Sequence, residues 1–192
     1  MSSIIIVQGY LAAGKSTFAR ELARELSIPC FVKDTFKIAL CQSVQIDSRE
    51  VSSRFSAVTF DGMVYAAERL MEAGFPLILE GNFLPAGVKK TDEAGVLREL
   101  IARHGCRSLT FKFCGEIGEL YERFAAREGT PERGRANTMF TLPTLEEFTL
   151  FCRNMDGFDA GGEVITVDTS DSFKSMDFNA LIAKAREFVE RR

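Results

Sequence analysis

The sequence predicts an α/β fold, a three-layer, doubly wound parallel sheet of five strands with a lid segment, and three observations carry that prediction. Ile4-Ile5-Ile6-Val7 is a continuous branched apolar run, which suits a strand covered on both faces. Short apolar runs recur at Cys30–Val32, Leu77–Leu79, Leu109–Phe113 and Val164–Val167, separated by segments of helical periodicity, the alternation of a parallel α/β sheet. A loop with a glycine at each end joins the first run to an amphipathic helix.

In that helix Phe18, Ala19, Leu22, Ala23 and Leu26 recur at helical spacing, and Arg20, Glu21, Arg24 and Glu25 take the other face. Pro29 ends the helical region. Arg54 to Ala73 reads as a long helix stopped by Gly74, and the last helix runs from about Phe178 to Val189. Glu128 to Pro143, rich in Gly, Thr, Pro, Asn and Arg between two helical patterns, reads as a mobile lid.

With 192 residues the chain suits one domain, 1–192, rather than two that would each fold alone. A formal charge of −3 argues against nonspecific nucleic-acid binding, which needs many phosphate-neutralising Lys and Arg. No apolar run approaches a bilayer span, and Met1-Ser2-Ser3 leads into the first strand without a basic region or cleavage site. The five cysteines, Cys30, Cys41, Cys106, Cys114 and Cys152, are scattered, odd in number and never spaced as Cys-x-x-Cys. They read as small core residues of a reducing, cytoplasmic protein.

Gly9-Tyr10-Leu11-Ala12-Ala13-Gly14-Lys15-Ser16, extended by Thr17, has the Walker A spacing between a buried strand and a helix. The context aims backbone N–H groups and the positive helix end at an anion, as in a P-loop NTPase. Gly9 and Gly14 permit the turn, Lys15 faces the outer phosphates, and Ser16 holds magnesium. Ala12 and Ala13 complete the cradle, so the backbone at Ala12 must suit a residue with a Cβ. Thr17 offers its hydroxyl to an inner phosphate or is a plain first-turn helix residue.

Two acids follow strands at the carboxyl edge, where α/β proteins bind ligands. Asp34, after Phe31-Val32-Lys33, could orient an acceptor hydroxyl and take its proton, or could simply cap the next helix. Glu80, ending Leu77-Ile78-Leu79, occupies a Walker B-like place, where it could hold a magnesium-bound water or a substrate hydroxyl; an exposed strand-end acid is the alternative. Asn82 could offer donor and acceptor groups to the substrate. Arg123 and Arg127 lie one helical turn apart, with Arg133 beyond. They bind an anion or form a solvated face with Glu119, Glu122, Glu128 and Glu132. Thr166-Val167-Asp168-Thr169-Ser170 ends the last strand in turn-prone residues, and His104 sits at a helix end with no catalytic role.

Together, Gly-x4-Gly-Lys-Ser-Thr, Lys-Asp-Thr-Phe-Lys and Leu-Glu-Gly-Asn resemble the small-molecule P-loop kinases, the zeta-toxin-like and AAA-type ATP-binding group. The resemblance implies ATP as donor with Mg2+, strand order 2-3-1-4-5, Asp34 as catalytic base beside Lys15, and an arginine-bearing lid. In similar kinases a lid arginine stacks on adenine and others reach the transferring phosphates, tasks assigned here to Arg123, Arg127 and Arg133 without dividing them. The segment holding Thr169 resembles the loop that borders the adenine. The expected function is therefore phosphoryl transfer to a small-molecule hydroxyl. A switch ATPase and a kinase of an RNA 5'-hydroxyl are the alternatives. The acidic chain shows no sign of the basic groove that the second would need.

Overall fold

The computed structural model describes residues 2–88, 91–128, 130, 133–138, 141–170 and 177–191, Arg135 by its backbone alone. Their strands are β1 (Ser3–Gly9), β2 (Cys30–Val32), β3 (Leu77–Glu80), β4 (Arg107–Cys114) and β5 (Glu163–Asp168). Every pairing is parallel, in the order β2-β3-β1-β4-β5. The helices are α1 (Lys15–Leu26), α2 (Lys33–Leu40), α3 (Arg49–Glu72), α4 (Glu93–Arg103), α5 (Ile117–Arg127), α6 (Leu145–Arg153) and α7 (Asn179–Glu190). The order is the one the resemblance implies.

The first strand shows why the molecule has three layers. Successive side chains of a strand point to opposite faces. Ile5 and Val7 join one core with Phe18 and Leu22 of α1, Phe124 of α5, Phe148 of α6 and Phe188 of α7. Ile4 and Ile6 join the other with Phe60 and Met63 of α3 and Leu97 of α4. A strand buried on both sides has no polar positions to alternate, hence the unbroken apolar run. Phe18 anchors the first core against the rings of Phe111, Phe113 and Phe178, at centroid distances of 4.9, 5.4 and 5.1 Å.

Element boundaries follow local chemistry. Ser27, left-handed at φ 54°, caps α1 two residues before Pro29. The long helix starts at Arg49, five residues earlier than its periodicity suggests, because the Ser48 hydroxyl accepts from the Val51 amide at 3.3 Å. Thr144 and Glu147 form a capping box that starts α6. Within the expected lid, Gly129, Pro131, Glu132, Met139 and Phe140 lie outside the described residues. Its described centre is a 3-10 turn, Arg135–Asn137. All five cysteines are free thiols. No helix among the described residues is long and apolar enough to cross a membrane.

Candidate active site

The loop between β1 and α1 owes its shape to three positive φ values, 127° at Gly9, 58° at Ala12 and 86° at Gly14. Gly9 is required by proximity as well as conformation. A Cβ there would lie 2.0 Å from the carbonyl oxygen of Phe113, its register partner on β4. That same carbonyl accepts from the Tyr10 amide at 2.8 Å, tying the loop to the sheet. The Tyr10 hydroxyl donates to the Asp156 carboxylate at 3.1 Å, and burial followed by that contact pushes its pKa up to about 12. Ala12 is left-handed although it has a Cβ, a conformation that costs about 1–2 kcal/mol for an L-residue.

Lys15, on the first turn of α1, is buried, and its ammonium donates to the Tyr10 carbonyl at 2.6 Å. One residue on, the Ser16 hydroxyl donates to Glu80 Oε2 at 3.2 Å. Glu80 closes β3 in register with Val7 of β1 and Val32 of β2, which places its carboxylate under the loop. It is 4% exposed, so the solvent-facing alternative for this acid is wrong. Burial raises its pKa to about 7, against the opposing pull of Lys15. Burial likewise lowers the pKa of Lys15.

Asp34 sits in the first turn of α2. Val32 occupies the N-cap position and no side chain bonds there, so Asp34 is not the cap. Its carboxylate instead accepts from Arg133 Nη1 at 3.3 Å. Arg133 also donates through Nε to Glu128 at 3.3 Å, and lies over the Phe124 ring. The segment around it is fastened to α2 and α3. Asn137 Nδ2 donates to the Asp34 carbonyl at 3.0 Å, Ser52 Oγ donates to the Ala136 carbonyl at 2.9 Å, and Ala136 packs with Cys41 and Ile46.

These groups meet in one cavity of about 300 Å³. Ala12, Ala13, Gly14, Lys15 and Ser16 line it on the loop side, and Asp34, Glu80, Asn82, Arg127 and Arg133 stand around it. Gly9, Arg123 and Thr169 do not line it. Gly9 shapes the turn from behind. Arg123 Nη2 is held by Glu119 at 2.9 Å, while its Nη1 is buried without a partner among the described residues. Thr169 is buried, with its hydroxyl and amide both bonded to the Cys114 carbonyl at 2.9 Å, which locks the ends of β4 and β5 together. Thr17 is exposed at the cavity's edge.

A second cavity, of about 680 Å³, adjoins the first and shares Leu11, Asp34, Asn82 and Arg133 with it. Two features escaped the sequence reading. Arg20 lines the phosphate-loop cavity and donates to Thr35 Oγ1 at 3.0 Å. Its signal was available, because it lies four residues after Ser16 and therefore on the same face of α1. Lys33 and Glu93 form a buried ion pair at 2.5 Å, with the Lys33 ammonium over the rings of Phe60 and Phe83. Sixty residues separate the pair, and no local pattern announces it.

Fold and loop define a nucleotide-binding α/β protein of the P-loop class. Residues 4–145 match the AAA domain family, and the chain belongs to that family. No curated protein matches it. Among solved structures the fold is similar to that of a protein of Chloroflexus aurantiacus J-10-fl described as a "putative kinase", with TM-score 0.84, 24% identity and 97% of each chain covered. It is also similar to a gluconokinase from Sinorhizobium meliloti 1021, with TM-score 0.56, 15% identity and coverage of 97% of this chain and 94% of that one. A shikimate kinase from Bacteroides thetaiotaomicron has TM-score 0.54, 13% identity and coverage of 98% and 99%.

Proposed function

We propose that the chain, acting as one cytoplasmic domain, is an ATP-dependent kinase that transfers the γ-phosphoryl group to a hydroxyl of a small molecule. The observation that carries this reading is the seam between the two cavities. Asp34, Asn82 and Arg133 border both, so a donor seated on the phosphate loop and an acceptor in the larger space would meet at these side chains. The names of the gluconokinase and shikimate kinase that share the fold support a small-molecule acceptor.

The donor set suits the nucleotide and its metal. The positive-φ loop backbone turns its N–H groups toward an anion, with Lys15 at its end. Ser16 and Glu80 bring two hard oxygens to within 3.2 Å of each other, the ligand type that magnesium prefers, with Glu80 acting through a bound water. When bound, Mg2+ supplies charge neutralisation to the phosphate oxygens. The remaining work falls to side chains. Asp34 orients the acceptor hydroxyl and accepts its proton as the oxygen bonds to the γ-phosphorus and the bond to the β–γ bridging oxygen breaks, leaving ADP. Arg127 and Arg133 face the equatorial oxygens, where planar guanidinium groups match the geometry. Asn82 holds the acceptor through its amide. Arg123 and Thr169 are assigned to the adenine side of the nucleotide.

The test is transfer of label from ATP marked at the γ-phosphate to pooled small hydroxyl compounds. Wild type should yield a labelled organic product, and Asp34→Ala should reduce its formation by roughly 10²–10⁴-fold. Label released as free phosphate at equal rates from both proteins would replace this reading with that of a nucleotide-dependent switch.

A further inference from the structure

Arg20 lines the phosphate-loop cavity, and its guanidinium reaches across from α1 to the first turn of α2. Nη2 donates to Thr35 Oγ1 at 3.0 Å, at the residue that follows Asp34. Arg20 lies one helical turn after Ser16, on the same face of α1. The helix that carries Lys15 and Ser16 is thereby joined directly to the turn that carries Asp34. Phe18, Ala19 and Leu22 of that helix are fully buried in the core, so α1 is a firm anchor.

The Asp34 turn has little local support. α2 begins at Lys33 as soon as β2 ends at Val32, and Val32, at the N-cap position, has no side-chain oxygen to accept from the open amides. β2 itself is a three-residue strand at the edge of the sheet. Support arrives from elsewhere in the chain. Asn137 bonds the Asp34 carbonyl and Arg133 bonds its carboxylate, both from the irregular segment. In transfer the Arg133 contact changes, because Asp34 loses its charge on taking the acceptor proton and Arg133 faces the phosphate oxygens. The Thr35 hydroxyl does not ionise, so its bond to Arg20 is unaffected by either event.

We propose that Arg20 is a positioning residue for phosphoryl transfer: through Thr35 it fixes the Asp34 turn against the phosphate loop, so that the base keeps its reach to the acceptor oxygen while Arg133 is engaged with the phosphates. The requirement is geometric. A displacement of about 1 Å between reacting groups can cost on the order of 10²-fold in rate. A plain surface strap between two helices would instead contribute to stability and leave the kinetics alone.

The inference rests on the kinase reading, and its test separates the two. Transfer is followed from γ-labelled ATP to the pooled small hydroxyl compounds, held at one saturating concentration, for wild type, Arg20→Met, Thr35→Val, Thr35→Ser and the double variant of Arg20→Met with Thr35→Val. Arg20→Met should lower kcat about 10- to 100-fold and keep the KM for ATP within about twofold. Both positions are exposed, so neither change opens a cavity in the core. Thr35→Val should lower kcat to a similar degree, and Thr35→Ser, which keeps the hydroxyl, should hold it within about twofold of wild type. The double variant should be no slower than the slower single one, because both changes break the same bond. An unchanged kcat in Arg20→Met, losses that multiply in the double variant, or equal losses in Thr35→Val and Thr35→Ser overturns this inference and leaves the kinase reading standing. An ATP KM that rises as far as kcat falls overturns it too, making Arg20 a ligand of the nucleotide. If Arg20→Met does not fold, the two Thr35 variants decide, and an unchanged kcat in Thr35→Val overturns the inference. Transfer absent from wild type removes the kinase reading and this inference with it.

Discussion

Ala12 holds a left-handed φ of 58° in the middle of the phosphate loop, where a glycine would rest without strain. Two effects of Ala12→Gly oppose each other. Relief of the left-handed Cβ is worth about 1–2 kcal/mol, and the extra freedom of glycine in the unfolded chain costs about 0.4–1 kcal/mol. The larger wins, so Ala12→Gly should stabilise the nucleotide-free protein by about 0.5–1 kcal/mol in denaturant titration. A loss of stability would mean that the Ala12 methyl makes contacts worth more than its strain. Ala12 also marks how far residues could be read from sequence. The loop, its lysine and its serine follow from spacing alone, because backbone geometry is encoded within eight consecutive positions. The partners of Asp34 and Glu80 do not. Asp34 meets Arg133 across 99 residues and Glu80 meets Ser16 across 64, distances at which one chain carries no pairing signal.

At the scale of elements, the segment entered as a lid is fastened at its centre. Gly134, at φ 62°, passes so close to α2 that a Cβ would meet Ile38 Cδ1 at 2.8 Å, while Asn137 and Ala136 bond to α2 and α3. Composition announced an irregular stretch, but its docking depends on the packing of Ala136 with Cys41 and Ile46, far away in the chain, and was not legible. Arg133 reaches from this segment to Asp34, Glu128 and the Phe124 ring. Arg133→Met keeps much of the apolar stem and removes the guanidinium. We expect kcat to fall by at least tenfold with the ATP KM little changed. Amide exchange at residues 133–138 should quicken in the free protein and be slowed less by Mg-ATP than in wild type. Equal exchange in the two proteins would show that the clamp does not hold the segment. At the far end, Thr144 caps α6 through its hydroxyl, and Thr144→Ala should cost about 1 kcal/mol in unfolding free energy without altering transfer.

Across the whole molecule, the sheet gathers β1, β2 and β3 so that Lys15, Asp34 and Glu80 arrive at one carboxyl edge from three stretches of chain. The strands themselves were legible because each is a short apolar run. Their order came from the resemblance, since pairings such as β1 with β3 join segments some seventy residues apart. The pooled burial of that edge links fold stability to the site through Glu80. Its pKa is about 7 in the folded protein against an ordinary 4.5, raised chiefly by burial, so the folded chain holds a proton that the unfolded chain has released between those values. The stability this carboxyl contributes is therefore fully present below about pH 4.5 and is lost as pH rises through 7. A span of 2.5 on the pH scale at about 1.4 kcal/mol each corresponds to a loss on the order of 3 kcal/mol. Magnesium reverses the balance, because it binds the carboxylate and not the acid. Unfolding midpoints measured at pH 5.5 and 8 should show Mg-ATP stabilising the wild type much more at the higher pH, and transfer activity should decline as pH falls below 7. Glu80→Gln should flatten the pH dependence of the nucleotide-free protein and weaken the magnesium effect at both values. A wild-type response to Mg-ATP that is the same at pH 5.5 and 8 would take Glu80 out of the metal site.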